Sequence, residues 1–142
     1  MRHAGLVGLL LALPVAASAI GAPDPAILSA DQAFALLPAE RDGRQVVLKW
    51  AIAAGYFLYR ARIVASAVGL GTGGPSTLSL PKGIVERDPL GIDVEIYRTA
   101  LRATLAGPAG PAAPRSLRVT YQGCADIGIC YPPQTKTVPL PP

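Results

Sequence analysis

Both cysteines of this chain, Cys124 and Cys130, lie close together near its carboxyl end. In an extended segment their Cα atoms would be roughly 20 Å apart, whereas a disulfide needs Cα atoms within about 7 Å. The chain must therefore fold back between them if the two sulfurs are to bond. Asp126 and Gly128 supply turn chemistry, because Gly tolerates positive φ and Asp can bond its own backbone. The spacing predicts a tight hairpin with one cysteine near each strand.

Three uses are open to such a pair: thiol–disulfide redox chemistry, a structural clip and a metal site. A disulfide that closes about seven residues stabilises by only ~2.4 kcal/mol in the chain-entropy model, less than one that closes a long loop. Two cysteines close in sequence, in a chain with no others, favour redox use but leave the structural clip open. Two cysteines alone cannot complete a tetrahedral zinc shell, which disfavours the metal.

The first residues have the pattern of a secretory signal peptide. A positive residue precedes the apolar run 6–16, and a small-x-small cleavage site ends at Ala19. The run is too short to span a bilayer comfortably, although an uncleaved anchor is the alternative. We expect residues 1–19 to be removed and residues 20–142 to form one exported domain. Export places the cysteines in a compartment where disulfides persist.

The rest of the composition excludes several function classes. The one histidine, His3, lies inside the predicted signal, so the mature chain has no imidazole. Cys–His and Ser–His nucleophilic pairs are therefore excluded, as are His-based metal sites, and a hydrolase is disfavoured. The net charge of +4 is a mild basic excess without a Lys/Arg cluster, which disfavours nucleic acid as a partner. We expect neither a metal nor a cofactor.

Period-two alternation along the chain predicts an all-β domain. Val46, Leu48, Trp50 and Ile52 share one face of a first strand, and Trp50 is predicted to be a core residue. A helical turn is predicted only at Ser29, where Ser29 and Gln32 form a capping box, and 86–91 is predicted as a charged turn. Strands are predicted at 46–52, 56–63, 78–80, 94–98, 101–105, 117–121 and 135–140, and Gly/Pro-rich loops at 69–75 and 107–114. Six or seven short strands predict a β-sandwich.

In the predicted strand 56–63, Phe57, Tyr59, Ala61 and Ile63 share one face. Arg60 and Arg62 then lie on the opposite face of this predicted strand.

Several stretches together resemble one family. Residues 121–133 read YQGCADIGICYPP and are followed by Thr-Lys-Thr at 135–137. Residues 30–34 (ADQAF), 55–60 (GYFLYR) and 95–98 (EIYR) precede them in the same order. This pattern closely resembles the amino-terminal periplasmic domain of the thiol:disulfide interchange protein DsbD, over nearly all of the expected mature chain.

The resemblance implies an immunoglobulin-like β-sandwich with a redox-active cysteine pair on a C-terminal hairpin. It implies a protein-disulfide reductase domain in the periplasm that takes electrons from a membrane-linked thioredoxin-like donor. The electrons pass to periplasmic thioredoxin-fold proteins, including disulfide isomerases and cytochrome c maturation factors. By position, Cys130 would form mixed disulfides with partners, and Cys124 would resolve them.

The family also implies a short loop that caps the cysteines, with an aromatic residue at its tip. The matching stretch here is 88–91, in which Leu90 takes the aromatic position. Asp88 would be a residue of this cap, although a solvated turn acid is the alternative. Phe57 and Tyr59 match positions that line the site beneath the cap, although ordinary core packing would explain them equally well. Asp126 is the nearest acid in sequence and, if close, would disfavour the thiolate forms.

A competing interpretation is a non-catalytic immunoglobulin-like binding module in which Cys124–Cys130 is a static clip. The family protein continues into membrane helices and a thioredoxin-like domain, whereas this sequence stops at Pro142. We therefore expect either a fragment of a longer protein or a free-standing carrier that meets its reductant in trans.

Overall fold

The computed structural model describes residues 26–68, 75–88, 90–106 and 114–142. The predicted signal peptide and its cleavage site, and most of the two predicted Gly/Pro-rich loops, lie outside the described residues. No helix within these ranges is long and apolar enough to cross a membrane.

Strands make up most of the described chain, and one short helix, α1 (Ala30–Ala33), precedes them. The predicted capping box at its start is confirmed, since the Gln32 N–H donates to Ser29 Oγ and the Ser29 N–H donates to Gln32 Oε1. In chain order the strands are β1 (Phe34–Leu36), β2 (Glu40–Asp42), β3 (Gln45–Ile52), β4 (Tyr56–Tyr59), β5 (Val64–Val68), β6 (Pro75–Ser76), β7 (Leu78–Ser79), β8 (Ile84–Arg87), β9 (Asp93–Tyr97), β10 (Ala100–Ala106), β11 (Ser116–Tyr121), β12 (Gly123–Ala125), β13 (Ile129–Cys130) and β14 (Gln134–Pro139).

These strands form two antiparallel layers. One layer is a sheet in the order β1-β3-β10-β7, with β2 also paired to β3. The other contains two sheets, β14-β11-β5-β6 and β13-β12-β4-β9-β8. Two chain segments pass from one of these two sheets to the other: β4 leads into β5, and β11 leads into β12. The predicted all-β, immunoglobulin-like sandwich with a cysteine hairpin near its C-terminal end is confirmed.

The core lies between the layers and includes the face predicted for β3. Val46, Leu48, Trp50 and Ile52 are all buried, as alternation predicts. The Trp50 ring meets the ring of Tyr121 from the opposite layer edge-on, with centroids 5.8 Å apart. Such aromatic pairs add specific stabilisation to the area they bury, so the two layers are fixed against each other immediately before the cysteine hairpin begins.

The predicted strand 56–63 is wrong in its second half. Strand β4 ends at Tyr59, and Arg60–Arg62 form a 3-10 turn that leaves Ala61 exposed rather than inward. The bend has a topological cause, since β4 pairs with β9 and β12 whereas β5 pairs with β6 and β11. Alternation along one segment cannot reveal a change of pairing partners.

The predicted charged turn 86–91 is also wrong at its start. Glu86 and Arg87 belong to strand β8, where they pair with Val94 and Asp93 of β9. The turn begins only at Asp88. Strand β8 is a sheet edge with mixed polarity, so its sequence lacks the apolar alternation of a half-buried strand.

Candidate redox site

The two cysteines face each other across the hairpin formed by β12 and β13. Cys124 and Cys130 are directly paired in the ladder, with Cα atoms 4.0 Å apart, and their sulfurs are bonded. The turn between them uses Gly128 at φ 88°, where the Gly128 N–H donates to the Ala125 carbonyl at 3.0 Å. Only a residue without Cβ adopts that backbone conformation at little energetic cost, so the predicted turn chemistry at Gly128 is confirmed.

The two sulfur-bearing residues differ sharply in exposure. Cys124 is 0% exposed, whereas Cys130 belongs to a two-residue edge strand and is exposed. Strand β12 lies between β4 and β13, which covers Cys124 on both sides, while β13 has a neighbour on one side only. A molecule approaching this disulfide from solvent therefore meets Cys130 first.

A small apolar cluster supports Cys124 from below. Phe57 stands opposite Cys124 on β4 and is 4% exposed, and Ile96 of β9 completes the cluster. The Tyr59 ring packs edge-on against the Phe57 ring at 5.3 Å. The structure thus brings both aromatic residues singled out from the sequence to the buried cysteine, and it adds Ile96, which alternation marked only as a strand residue.

Tyr59 links the buried cysteine to the turn that starts at Asp88. Its hydroxyl oxygen lies 3.4 Å from Cys124 Sγ, and the hydroxyl donates to Asp88 Oδ2 at 3.4 Å. Burial raises the pKa of the Tyr59 hydroxyl above its ordinary value, and the nearby Asp88 carboxylate raises it further. Tyr59 therefore keeps its proton at neutral pH and can act as a hydrogen-bond donor beside the sulfur.

The turn that matches the family's cap is organised by Asp88. Its Oδ1 accepts from the backbone N–H groups of Leu90 and Ile92, both at 2.9 Å. Leu90 is 78% exposed, and Pro89 lies outside the described residues. The turn, Tyr59 and Cys130 line one cleft of about 510 Å³. Leu90 therefore stands beside the disulfide without covering it, and Cys130 stays open to solvent.

Asp126 of the hairpin turn is held by an arginine that the sequence marked only as part of the EIYR match. Arg98 Nη1 donates to Asp126 Oδ1 at 2.9 Å, and Arg98 also binds Glu86 through Nη2 at 2.7 Å and Nε at 3.2 Å. The Arg98 guanidinium lies 5.2 Å from the centroid of the Phe57 ring. This pairing offsets the charge of Asp126, so the expected electrostatic effect of Asp126 on the thiols is weakened.

The site holds sulfur, phenol and carboxylate groups and the paired guanidinium. Within the described ranges, no group of three or more His, Cys, Asp or Glu side chains is arranged to hold a metal ion. A bonded pair of sulfurs with one exposed member can undergo exchange with an incoming thiolate, and it needs no further group to do so.

Comparisons with known proteins match the cysteine site and its surroundings to one family. The family model described as thiol:disulfide interchange protein DsbD, N-terminal, matches residues 24–142. DsbD of Yersinia pestis (strain Pestoides F) is 43% identical over 113 residues, covering 78% of this chain and 18% of that protein. DsbD of Salmonella choleraesuis (strain SC-B67) is 39% identical over 111 residues, covering 78% of this chain and 19% of that protein. The chain thus spans less than a fifth of the length of these relatives.

Two solved structures share the fold. The crystal structure of the Neisseria meningitidis DsbD n-terminal domain in the reduced form matches with a TM-score of 0.63 and 27% identity, covering 80% of this chain and 88% of that one. The complex between the DsbD N-terminal and the PilB N-terminal domains from the same organism matches with a TM-score of 0.60 and 26% identity, covering 80% and 86%. Sequence and fold agree, and the chain belongs to the family of DsbD N-terminal domains.

Proposed function

We propose that this domain carries reducing equivalents by thiol–disulfide exchange at Cys124 and Cys130. It accepts electrons from a membrane-linked thioredoxin-like donor and passes them to periplasmic thioredoxin-fold proteins, such as disulfide isomerases and cytochrome c maturation factors. Residues 1–19 are removed on export, and residues 20–142 work in the periplasm. Membership of the DsbD family supports this proposal, because the matched relatives are named thiol:disulfide interchange proteins.

The unequal exposure of the two sulfurs carries the proposal. A static clip has no need of an open side, whereas exchange requires that one sulfur be reachable in line with the bond. Cys130 is exposed and Cys124 is fully buried, so attack from solvent falls on Cys130. Cys124 is then the leaving sulfur and later the resolving one.

Reduction proceeds in two exchange steps that balance in electrons and protons. A donor thiolate attacks Cys130 Sγ, the Cys124–Cys130 bond breaks, and Cys124 leaves as a thiolate that takes up a proton. The donor's second thiol loses its proton and attacks the donor sulfur of the mixed disulfide, which releases Cys130 as a thiolate to be protonated. The domain gains two electrons and two protons, and the donor becomes a disulfide. Reduction of an acceptor runs through the same steps in reverse.

Tyr59 supports the step in which Cys124 leaves. The hydroxyl, 3.4 Å from Cys124 Sγ, can rotate from Asp88 and donate to the departing thiolate. A hydrogen bond to a thiolate favours the charged form and so assists its departure. Phe57 positions the Tyr59 ring from the side, and Asp88 holds the hydroxyl when the disulfide is closed.

Apolar side chains around the exposed sulfur suit a transient partner. The turn carries Leu90 and Ile92, which are 78% and 57% exposed and line the same cleft as Cys130. Exposed apolar groups grouped on one surface mark interaction sites. A carrier must dissociate after each transfer, so we expect an interface below about 1,200 Å². The complex solved for the Neisseria domain supports docking of a second protein domain.

Trapping tests the proposal. With Cys124→Ser, Cys130 can attack the disulfide of a thioredoxin-fold protein, but no second thiol resolves the adduct. We expect stable mixed disulfides with such proteins, detected by non-reducing electrophoresis and mass spectrometry. Cys130→Ser is the matched control and should give few adducts, since Cys124 is buried. Trapping by neither variant would contradict the proposal and favour the static binding module, whereas equal trapping by both would contradict the role of Cys130 as the attacking sulfur.

A further inference from the structure

Arg98 follows strand β9 and joins three parts of the redox site. It binds Glu86 on edge strand β8 at 2.7 and 3.2 Å, and Asp126 in the hairpin turn at 2.9 Å. Its guanidinium also lies against the Phe57 ring, which supports Cys124. The planar fork of an arginine can bind two carboxylates at once, which a lysine ammonium does with less directional control.

The outer strand of the hairpin is short, and its side-chain restraints lie at its two ends. Arg98 holds the turn, and at the exit the Tyr131 ring packs on Phe34 while its hydroxyl donates to Leu28 O. Strand β13 contains two residues, Ile129 and Cys130, both exposed, and it is paired on one side only. The backbone also holds the hairpin, through the Asp126 N–H donating to Gly55 O at 2.8 Å and the Tyr131 N–H donating to Gly123 O at 3.0 Å. Once the disulfide opens, its covalent restraint is lost, and the ion pair at Asp126 becomes a larger share of what remains.

We propose that Arg98 is a positioning residue that pins the cysteine hairpin through Asp126, so that the two thiols of the reduced domain stay close enough to re-form their bond. This inference rests on the proposed redox function. Holding two reacting groups together raises their effective concentration, which favours the bonded form. Arg98 thereby sets how readily the domain gives up its electrons.

The equilibrium with glutathione measures this effect without any protein partner. In that reaction the domain disulfide and two glutathione thiols give the domain dithiol and one glutathione disulfide, so electrons and protons balance. At about pH 6 ordinary thiols, with a pKa near 8.5, are almost fully protonated. Electrostatic effects of Arg98 or Asp126 on the thiolates then contribute little, and the equilibrium reports sulfur proximity.

We expect Arg98→Gln and Asp126→Ala each to shift this equilibrium toward the dithiol by about threefold to tenfold, a change of roughly 15–30 mV for a two-electron couple. The double variant should shift no further than either single one, because both changes remove the same link. Arg98→Lys should restore part of the wild-type value. Asp126→Ala keeps the Arg98–Glu86 pair, so the test survives if Arg98→Gln does not fold.

Arg102→Gln is the matched control. Arg102 makes a comparable surface pair with Asp42, also at 2.9 Å, on the opposite layer of the sandwich. It should leave the equilibrium unchanged. The inference would be overturned, with the redox function left intact, if neither Arg98→Gln nor Asp126→Ala shifted the glutathione equilibrium. It would also be overturned if Arg98→Gln alone shifted it. A wild-type domain that does not exchange at all would instead overturn the proposed function.

Discussion

Cys124 and Cys130 have the same chemistry and opposite surroundings. Cys124 is enclosed between strands and backed by Phe57 and Ile96, whereas Cys130 stands on an outer strand at a cleft. The motif around the cysteines matched them to their family positions, and their unequal burial supplies a physical reason for the division of roles that we propose. The spacing of the cysteines alone could not reveal this difference in burial. The pairing of β12 with β4 is what leaves β13 as the edge strand.

The first prediction concerns the reactivity of the two thiols. In the reduced wild-type domain, alkylation by iodoacetamide should modify Cys130 at least about tenfold faster than Cys124, because the attacking thiolate must be reachable. Peptide mass spectrometry after a timed quench measures both rates. In denaturant the two rates should converge. Equal rates in the folded domain would contradict the assignment of Cys130 as the outer sulfur.

A second prediction concerns the hydroxyl of Tyr59. Tyr59→Phe keeps the ring that packs on Phe57 but loses the hydrogen bond to Asp88, which should lower the free energy of unfolding of the oxidised domain by about 0.5–1.5 kcal/mol. Chemical denaturation at neutral pH measures this difference.

The same pair of proteins gives a pH test. The pKa of Tyr59 is raised, by burial first and by Asp88 second, so its stabilisation is present below the ordinary value of 10.0 and is lost as the pH rises through the folded value. The difference between wild type and Tyr59→Phe should therefore be constant near neutrality and shrink in alkali. A difference that grows in alkali would contradict the hydrogen-bond geometry.

At the scale of elements, the cysteine spacing predicted the hairpin, and alternation predicted seven of the strands: β3, β4, β7, β9, β10, β11 and β14. The 3-10 turn at Arg60–Arg62 and edge strand β8 escaped prediction, because both depend on which strands lie alongside. The approach of β12 to β4 is a further non-local feature. A Cβ at Gly123 would lie 2.2 Å from the Phe57 carbonyl oxygen and 2.6 Å from Phe34 Cζ.

Gly123→Ala should therefore destabilise the domain by at least about 2 kcal/mol, because backbone and a buried ring must both move. Denaturant unfolding followed by Trp50 fluorescence measures the loss. Gly43→Ala is a useful comparison, since Gly43 has a φ of 59° and nothing within 4 Å of the added Cβ. It should lose only about 1 kcal/mol from backbone strain. A smaller loss at Gly123 than at Gly43 would contradict the close strand approach.

At the scale of the whole molecule, the site is assembled from distant segments. Arg98 reaches Glu86 across 12 residues and Asp126 across 28. The EIYR match identified the arginine's segment but gave no hint of its partners, because ion pairs between strands leave no local pattern. What the sequence could supply was the cysteine pair, its hairpin and the fold class. The network that holds the hairpin needed three-dimensional coordinates.

This network should respond to acid. The hydrogen bond from Arg98 lowers the pKa of Glu86, so the contribution of that pair is present above the ordinary value of 4.5 and is lost as the pH falls through the lowered value. The difference in unfolding free energy between wild type and Arg98→Gln should be constant near neutrality and narrow in acid. A difference that widens in acid would contradict the pairing.

The central claim is that the bond between Cys124 and Cys130 opens and closes in exchange with a thioredoxin-fold dithiol. The most direct measurement mixes the oxidised domain with a reduced thioredoxin, quenches with acid and resolves both proteins by intact mass. We expect the domain to gain two hydrogens as the thioredoxin loses two, at an equilibrium that gives a reduction potential above about −300 mV. A disulfide that stays closed, with a potential below that value, would contradict the account and leave a structural clip.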